Sequence, residues 1–298
     1  MIEDYNVEVF AHKEILITGG AGFIGSHLVE KLVKVAQKVV CVDNYLSGKE
    51  ENHISGASYI RGDVKEIIDI LGNQKFDYIF HFGEYSRVEQ SLAEPDVALT
   101  NIYQSFNPLL QFWRMSGAKL VYSGSSTKFA DNGNGRHLSP YTAAKSLNTD
   151  LLVDFAKWYN LPFAIVYFYN VFGGRELRTG KYSTVIGKFK DLLSNGAAEL
   201  PVNSPGTQRR NFTHIDDITN GILLVAEKGL GDDFGIGSDE SFSIIELCEV
   251  FGLNPVFQPS SLANRMDGEL RTKKIKKLGW SPKVSLREHI KNFLKDFK

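Results

Sequence analysis

The sequence has little cysteine, little imbalance of charge and no long apolar run, and each shortage narrows the reading. Its two cysteines, Cys41 and Cys248, show no metal-ligand spacing, and Cys41 falls inside an apolar run. Both are expected as reduced core residues of a cytoplasmic protein, and no metal site is expected. Lys and Arg number 34 against 35 Asp and Glu, a formal net charge of −1. That balance gives no reason to expect nucleic acid or a membrane surface as a partner. No stretch is apolar for long enough to span a bilayer, and no N-terminal h-region is present. Internal repeats, low-complexity segments and long linkers are missing as well. What remains is an ordinary composition, 43% hydrophobic over 298 residues. That is enough for one large domain or two unequal lobes around a sizeable core.

The informative stretch is residues 14–30. Ile15, Leu16 and Ile17 read as a short strand buried on both faces. Gly19, Gly22 and Gly25 follow at a spacing of three, and Phe23, Ile24, Leu28, Val29, Leu32 and Val33 then recur at helical intervals. The glycines therefore form a turn from strand to helix. Such a turn bends sharply and lets a pyrophosphate approach the amides at the helix N-terminus. A merely structural turn is the plainer alternative, but between a buried strand and an amphipathic helix the pattern points to a dinucleotide. Lys38–Val42 reads as a second strand ending at Asp43. An acid there accepts ribose hydroxyls and repels a 2′-phosphate, which favours NAD over NADP, although Asp43-Asn44 also suits a simple turn. Tyr59-Ile60 reads as a third strand running into Asp63, placed to reach an adenine amino group with Val64 beside it. Residues 77–82 read as a fourth strand closed by Gly83. Strand and helix alternate throughout, so the fold class is α/β, a doubly wound parallel sheet of Rossmann type.

A helix is expected over 95–116, with Pro95 near its start and Gly117 after its end. Lys119–Tyr122 reads as a strand, followed by Ser123-Gly124-Ser125-Ser126-Thr127. Taken alone, that run suits a solvated loop; at the carboxyl end of a central strand it lies where open α/β sheets bind ligands. A Gly/Asn-rich loop (Asp131 to Arg136) precedes a helix opened by Ser139-Pro140-Tyr141. Tyr141 and Lys145 are four apart and share one helix face. A lysine near a phenol favours the phenolate, making a base usable near neutrality.

With these residues assembled, the chain resembles, over almost its whole length, the extended short-chain dehydrogenase/reductase family, in particular its nucleotide-sugar epimerases and dehydratases. Thr18-Gly-Gly-Ala-Gly-Phe-Ile-Gly-Ser26 is similar to the family's cofactor turn, and Val42-Asp-Asn-Tyr-Leu-Ser-Gly48 to its ribose loop. Tyr141 and Lys145 match its Tyr-x-x-x-Lys pair. The resemblance implies NAD as cofactor, bound by Gly19, Gly22, Phe23, Ile24, Gly25, Asp43, Asn44, Ser47, Gly48, Asp63, Val64, Phe82, Gly83, Asn101, Tyr141, Lys145 and Tyr169. It implies Ser125, Tyr141 and Lys145 as the catalytic set. A nucleotide sugar would meet Glu84, Ser126, Thr127, Asn170, Arg210 and Arg265, with Arg271 a rival to the last. Residues 1–170 with 213–237 would hold NAD, and 171–212 with 238–298 the nucleotide sugar. A homodimer through the helices at 95–116 and 140–160 is implied in the same way.

The resemblance also bears on the reaction. A 4,6-dehydratase carries an Asp-Glu pair directly after the catalytic Ser/Thr; here Ser126 and Thr127 stand there, and neither titrates near neutrality. The expected reaction is thus epimerisation at C4 of a UDP-hexose through a transient 4-keto sugar. A 4,6-dehydratase, or a regulatory protein that binds NAD without turnover, is the alternative. Glu84 stands where many epimerases have alanine. It is either an extra acid/base at the sugar, which would revive dehydration or suggest a 3- or 5-epimerase, or the partner of Arg87 in an ion pair.

Overall fold

The computed structural model describes residues 5–260 and 268–295. Its centre is a seven-stranded sheet in which every pairing is parallel. Strands β1 (Glu14–Thr18), β2 (Lys38–Asp43), β3 (Ser58–Arg61), β4 (Tyr78–His81), β5 (Lys119–Ser125) and β6 (Phe163–Phe168) lie in the order β3-β2-β1-β4-β5-β6, and the strand Gly231–Ile236 completes the sheet beside β6. The chain winds outward from β1 in both directions. The carboxyl ends of β1 and β4 are thus the point where the winding reverses and a crevice opens.

Side-chain alternation explains why these strands are apolar on both faces. Ile15 and Ile17 of β1 face helix α1 (Phe23–Leu32) and the helix Ile215–Lys228, whereas Leu16 faces the opposite layer. That second layer is built from Ile67–Leu71, Ser105–Ser116 and Pro140–Tyr159, anchored by Trp113, Phe112 and Phe155. A separate apolar cluster joins Phe172, Phe189, Leu200, Phe212, Leu247, Phe251 and Ile290. Ile275 and Trp280 pack instead with the helix Ile215–Lys228, so the chain returns to the sheet before Leu286 and Ile290 rejoin that cluster. Both cysteines are buried and free, and burial pushes the Cys41 thiol up to about 12. In the native protein Cys41 is therefore expected to resist alkylation at neutral pH, which a mass shift under denaturing and native conditions would check.

Two elements differ from the sequence reading. The helical span 95–116 is helical throughout, but Thr100–Gln104 forms a wider π turn. Pro108 explains it, since its ring would strike the carbonyl four residues back, that of Gln104, and it has no N–H to donate. The fifth strand continues to Ser125 rather than stopping at Tyr122, because Ser123, Gly124 and Ser125 pair with Val166, Tyr167 and Phe168. Backbone pairing, and not the polarity of the serines, decides the strand's end. Among the described residues no helix is long and apolar enough to cross a membrane.

Candidate active site

A cavity of about 440 Å³ opens at the carboxyl ends of the central strands, between the sheet and the segment 177–186. One wall is the glycine turn. Gly19 has φ +75°, and a Cβ there would come within 2.8 Å of the Phe82 and Gly83 backbone; at Gly25 it would come within 2.1 Å of the Gly19 carbonyl oxygen. Neither neighbour is a flexible side chain. Gly25→Ala is therefore expected to weaken NAD binding at least about tenfold, equivalent to roughly 1.4 kcal/mol, as isothermal titration would show. Gly22 caps α1 without any side-chain acceptor, so the amides of the first turn at Phe23 and Ile24 are left for an anionic ligand.

Asp43 ends β2 beside this turn. Its carboxylate accepts from the Ala21 amide at 2.9 Å and the Tyr45 amide at 2.8 Å, and Gly48 packs so tightly on it that a Cβ would lie 2.8 Å from Oδ1. Burial raises its pKa from the ordinary carboxylate value. Asn44, Ser47, Gly48, Phe82, Gly83 and Asn101 line the same cavity, and Asn101 holds the Tyr85 amide through its side-chain oxygen at 2.5 Å. These groups form a cradle for a dinucleotide: a crowded glycine turn, an uncapped helix and an acid at the end of the second strand.

Ser125, Ser126, Thr127, Tyr141, Lys145, Glu84 and Asn170 line the other half. The Ser139 hydroxyl caps the helix Pro140–Tyr159 in a reciprocal box with Thr142, fixing the turn that carries Tyr141. Ser125 Oγ and Thr127 Oγ1 lie 2.6 Å apart, and Ser126 Oγ donates to the Phe168 carbonyl at 3.0 Å. Below them is a buried polar network. Lys145 Nζ donates to Glu84 Oε2, to the Ser123 carbonyl and, at 3.1 Å, to the Tyr122 hydroxyl. The Tyr122 hydroxyl itself donates to Glu84 Oε1 at 3.2 Å. His81 stacks on Tyr122, holds Thr18 Oγ1 at 2.7 Å through Nδ1, and brings Nε2 within 3.4 Å of Glu84.

Both expectations for Glu84 are thereby corrected: its partner is Lys145, not Arg87, and it is no free acid or base at the sugar. Burial alone would raise the Glu84 carboxyl, but Lys145 and His81 outweigh it and bring its pKa down to about 2. Burial also pulls the Lys145 ammonium below its usual range, with Glu84 opposing. Tyr122 is pushed well above the ordinary phenol value by burial and Glu84, so it stays protonated.

Other expected contacts fall outside the cavity. Asp63 caps a short turn, accepting from the Lys65 amide, Ser105 and Asn44, and neither it nor Val64 reaches the cavity wall. Tyr169 points the other way: its hydroxyl donates to the Glu269 carbonyl and accepts from the Arg271 amide, stitching β6 to the returning chain. Arg210 lies on the strand Arg209–Asn211, away from the cavity wall, with Nη1 on the Arg209 carbonyl. Arg271 pairs with Asp233. Arg265 lies outside the described residues. The sequence reading missed Tyr182 and Thr184, which close the cavity from the far side. A lone tyrosine in a polar segment carries no motif that would have found them.

Residues 15–237 match the model of the NAD dependent epimerase/dehydratase family. The chain belongs to that family. NAD is its cofactor, and the glycine cradle and Asp43 fit it. UDP-glucuronic acid decarboxylase 5 of Arabidopsis thaliana is 30% identical, covering 97% of this chain and 90% of its own. Among solved structures, the UDP-glucose 4-epimerase of Thermotoga maritima with UDP-glucose is 29% identical, with a TM-score of 0.87 over 95% of this chain and 98% of its own. The UDP-N-acetylglucosamine 4-epimerase of Methanobrevibacter ruminantium M1, in complex with UDP-N-acetylmuramic acid, is 25% identical with a TM-score of 0.85, covering 96% and 98%.

Proposed function

We propose that this family member is an NAD-dependent 4-epimerase of nucleotide sugars, of the UDP-hexose type. The observation that carries the reading is the company of Ser125, Tyr141 and Lys145 in one cavity with neutral hydroxyls at Ser126 and Thr127. Tyr141 takes the proton from the C4 hydroxyl, and the Ser125 hydroxyl donates a hydrogen bond to the same oxygen. NAD, when bound, would take the hydride from C4 and, once the resulting 4-keto sugar has turned in the cavity, return it to the opposite face of C4. Tyr141 then gives its proton back to the C4 oxygen. Asn170, held by its amide to the Asn211 carbonyl at 2.9 Å, and the glycine cradle keep the two ligands in register during that turn.

Elimination of a C6 hydroxyl needs an acid and a base beside C5 and C6. Glu84, which lines the cavity with the expected triad, is ion-paired to Lys145 and stays ionised near neutrality. A second reading is supported by the Arabidopsis relatives named as UDP-glucuronic acid decarboxylases. Oxidation at C4 of a uronic acid makes a β-keto acid, which loses carbon dioxide without a further acid on the protein. Proton NMR after incubation with UDP-glucose, UDP-N-acetylglucosamine and UDP-glucuronate separates the readings. Epimerisation gives a new anomeric signal with C6 intact, decarboxylation gives a pentose, and dehydration gives a methyl doublet that would overturn both.

The active protein is proposed to be a homodimer. Leu147, Leu151 and Trp158 stand exposed on one face of the helix Pro140–Tyr159, with Val97 and Tyr103 exposed on the helical span 95–116. A second copy would cover them. Leu151→Asp is expected to convert the dimer to monomer in sedimentation velocity; a wild-type protein that is already monomeric would contradict the proposal.

A further inference from the structure

The aromatic rings beside Tyr141 are held by an acid that is not itself part of the cavity wall. Tyr85 follows β4 and is buried, with its ring centroid 6.4 Å from that of Tyr141 and 5.8 Å from that of Tyr182. All three rings line the cavity, Tyr182 from the segment 177–186. Tyr85 and Tyr141 share one apolar cluster, and Tyr182 packs against it. The hydroxyls of Tyr85 and Tyr182 converge on a single oxygen, Glu94 Oε1, which accepts from the first at 2.9 Å and from the second at 2.5 Å. Glu94 Oε2 accepts from Lys181. Glu94 stands directly before Pro95 at the start of the helix Pro95–Leu99, where an acid ordinarily caps the first amides, yet its side chain makes no cap bond. The carboxylate turns instead to the two tyrosines and the lysine.

We propose that Glu94 is a positioning residue for the sugar end of this cavity: by taking both hydroxyls it fixes Tyr85 and Tyr182 as an aromatic wall, against which the hexose of the nucleotide sugar is held within reach of Tyr141. The inference rests on the nucleotide-sugar reading with Tyr141 as the base, and it names the group that orders the surroundings of the sugar. The two rings stand at 87° to each other, one from the end of β4 and one from the segment 177–186, so the carboxylate ties opposite sides of the wall together. A wall set in advance does not have to be ordered when the ligand arrives, which strengthens binding. Two further contacts place the segment itself and leave the Tyr182 ring to Glu94. Arg87 Nε donates to the Tyr182 carbonyl at 2.8 Å, and Thr184 Oγ1 donates to Glu176 Oε2 at 2.8 Å. Loss of the Glu94 carboxylate therefore frees the ring while the backbone keeps its anchors. Lys181, with the Tyr182 hydroxyl, holds the Glu94 carboxyl below the usual carboxylate range, so near neutrality it is ionised and accepts from both phenols.

The test is isothermal titration of the NAD-loaded protein with UDP-glucose and, separately, with UDP, which lacks the sugar. Glu94→Ala is expected to weaken UDP-glucose binding about tenfold or more, the scale of hydrogen bonds to a charged acceptor, and to leave the UDP affinity where it was. Tyr182→Phe keeps the ring and removes only the hydroxyl. It should show the same selective loss to a smaller extent, and the double variant should lose no more than Glu94→Ala alone. If Glu94→Ala melts early, Tyr182→Phe carries the test. A merely structural acid would weaken both ligands alike, and a loss shared equally by UDP overturns the proposal. So does an unchanged UDP-glucose affinity in both variants, or a wild type that binds UDP-glucose no more tightly than UDP. Because the titration needs no turnover, its failure is separable from failure of the epimerase reading. Selective loss in the variants with no epimer formed by the wild type contradicts the reaction alone; epimerisation with unmoved affinities contradicts the role of Glu94 alone.

Discussion

Tyr141→Phe is expected to lower kcat by about 10²–10⁴-fold, the usual contribution of a positioned general base, with little change in NAD affinity or melting temperature. The ring is buried against Tyr85, Ile102 and Ala144, and phenylalanine keeps that packing. What it loses is the oxygen proposed to take the C4 proton. Steady-state kinetics with the substrate found by NMR would show the loss in kcat and in kcat/KM together, since the interaction is made in the transition state. A variant retaining a tenth or more of wild-type turnover would mean that another group removes the proton.

Glu84→Ala is expected to have the largest effect on stability, about 3–5 kcal/mol, because it leaves the Lys145 ammonium buried without its counter-charge. Both side chains are nearly inaccessible, 3% exposed for Lys145 and 2% for Glu84. Urea denaturation at neutral pH would measure the change through the transition midpoint. The pH dependence has a definite sign. Glu84 has a pKa of about 2 in the folded protein, below its ordinary value of 4.5. Its contribution is therefore present above the unfolded value and declines as pH falls from there toward 2. Wild type should lose stability through that window and Glu84→Ala should lose less. Equal acid sensitivity of the two proteins would show that the pair contributes nothing.

The parts of the site that were legible in sequence are those where one local requirement dictates the residue. Gly19 and Gly25 stand where backbone atoms crowd out a Cβ, and Asp43 at the strand end beside them; spacing alone exposes all three. Tyr141 and Lys145 share a helix face, and that too is visible in the spacing. Contacts set by distant parts of the fold were not visible. Glu84 and Lys145 are 61 positions apart and meet only because the helix Pro140–Tyr159 packs over the end of β5, which neighbours β4 in the sheet. The choice between Arg87 and Lys145 as partner of Glu84 depends on which way a side chain turns at the end of β4, and no period in the sequence encodes that. Asp63 and Tyr169 were drawn toward the cofactor by their motif positions, yet their polar atoms are taken by Asn44 and Ser105 in one case and by the returning chain in the other. Tyr182 reaches the cavity from a segment whose path depends on Arg87 and Glu94.

The central claim is that C4 is oxidised and then reduced within one active site. The most direct measurement is turnover of a nucleotide sugar carrying deuterium at C4, followed by proton and deuterium NMR of the product. A transient 4-keto sugar with hydride return predicts an epimer that keeps the deuterium at C4, with none washed out to solvent. Deuterium found at C6, or lost to water, would contradict the account and place a different reaction in this cavity.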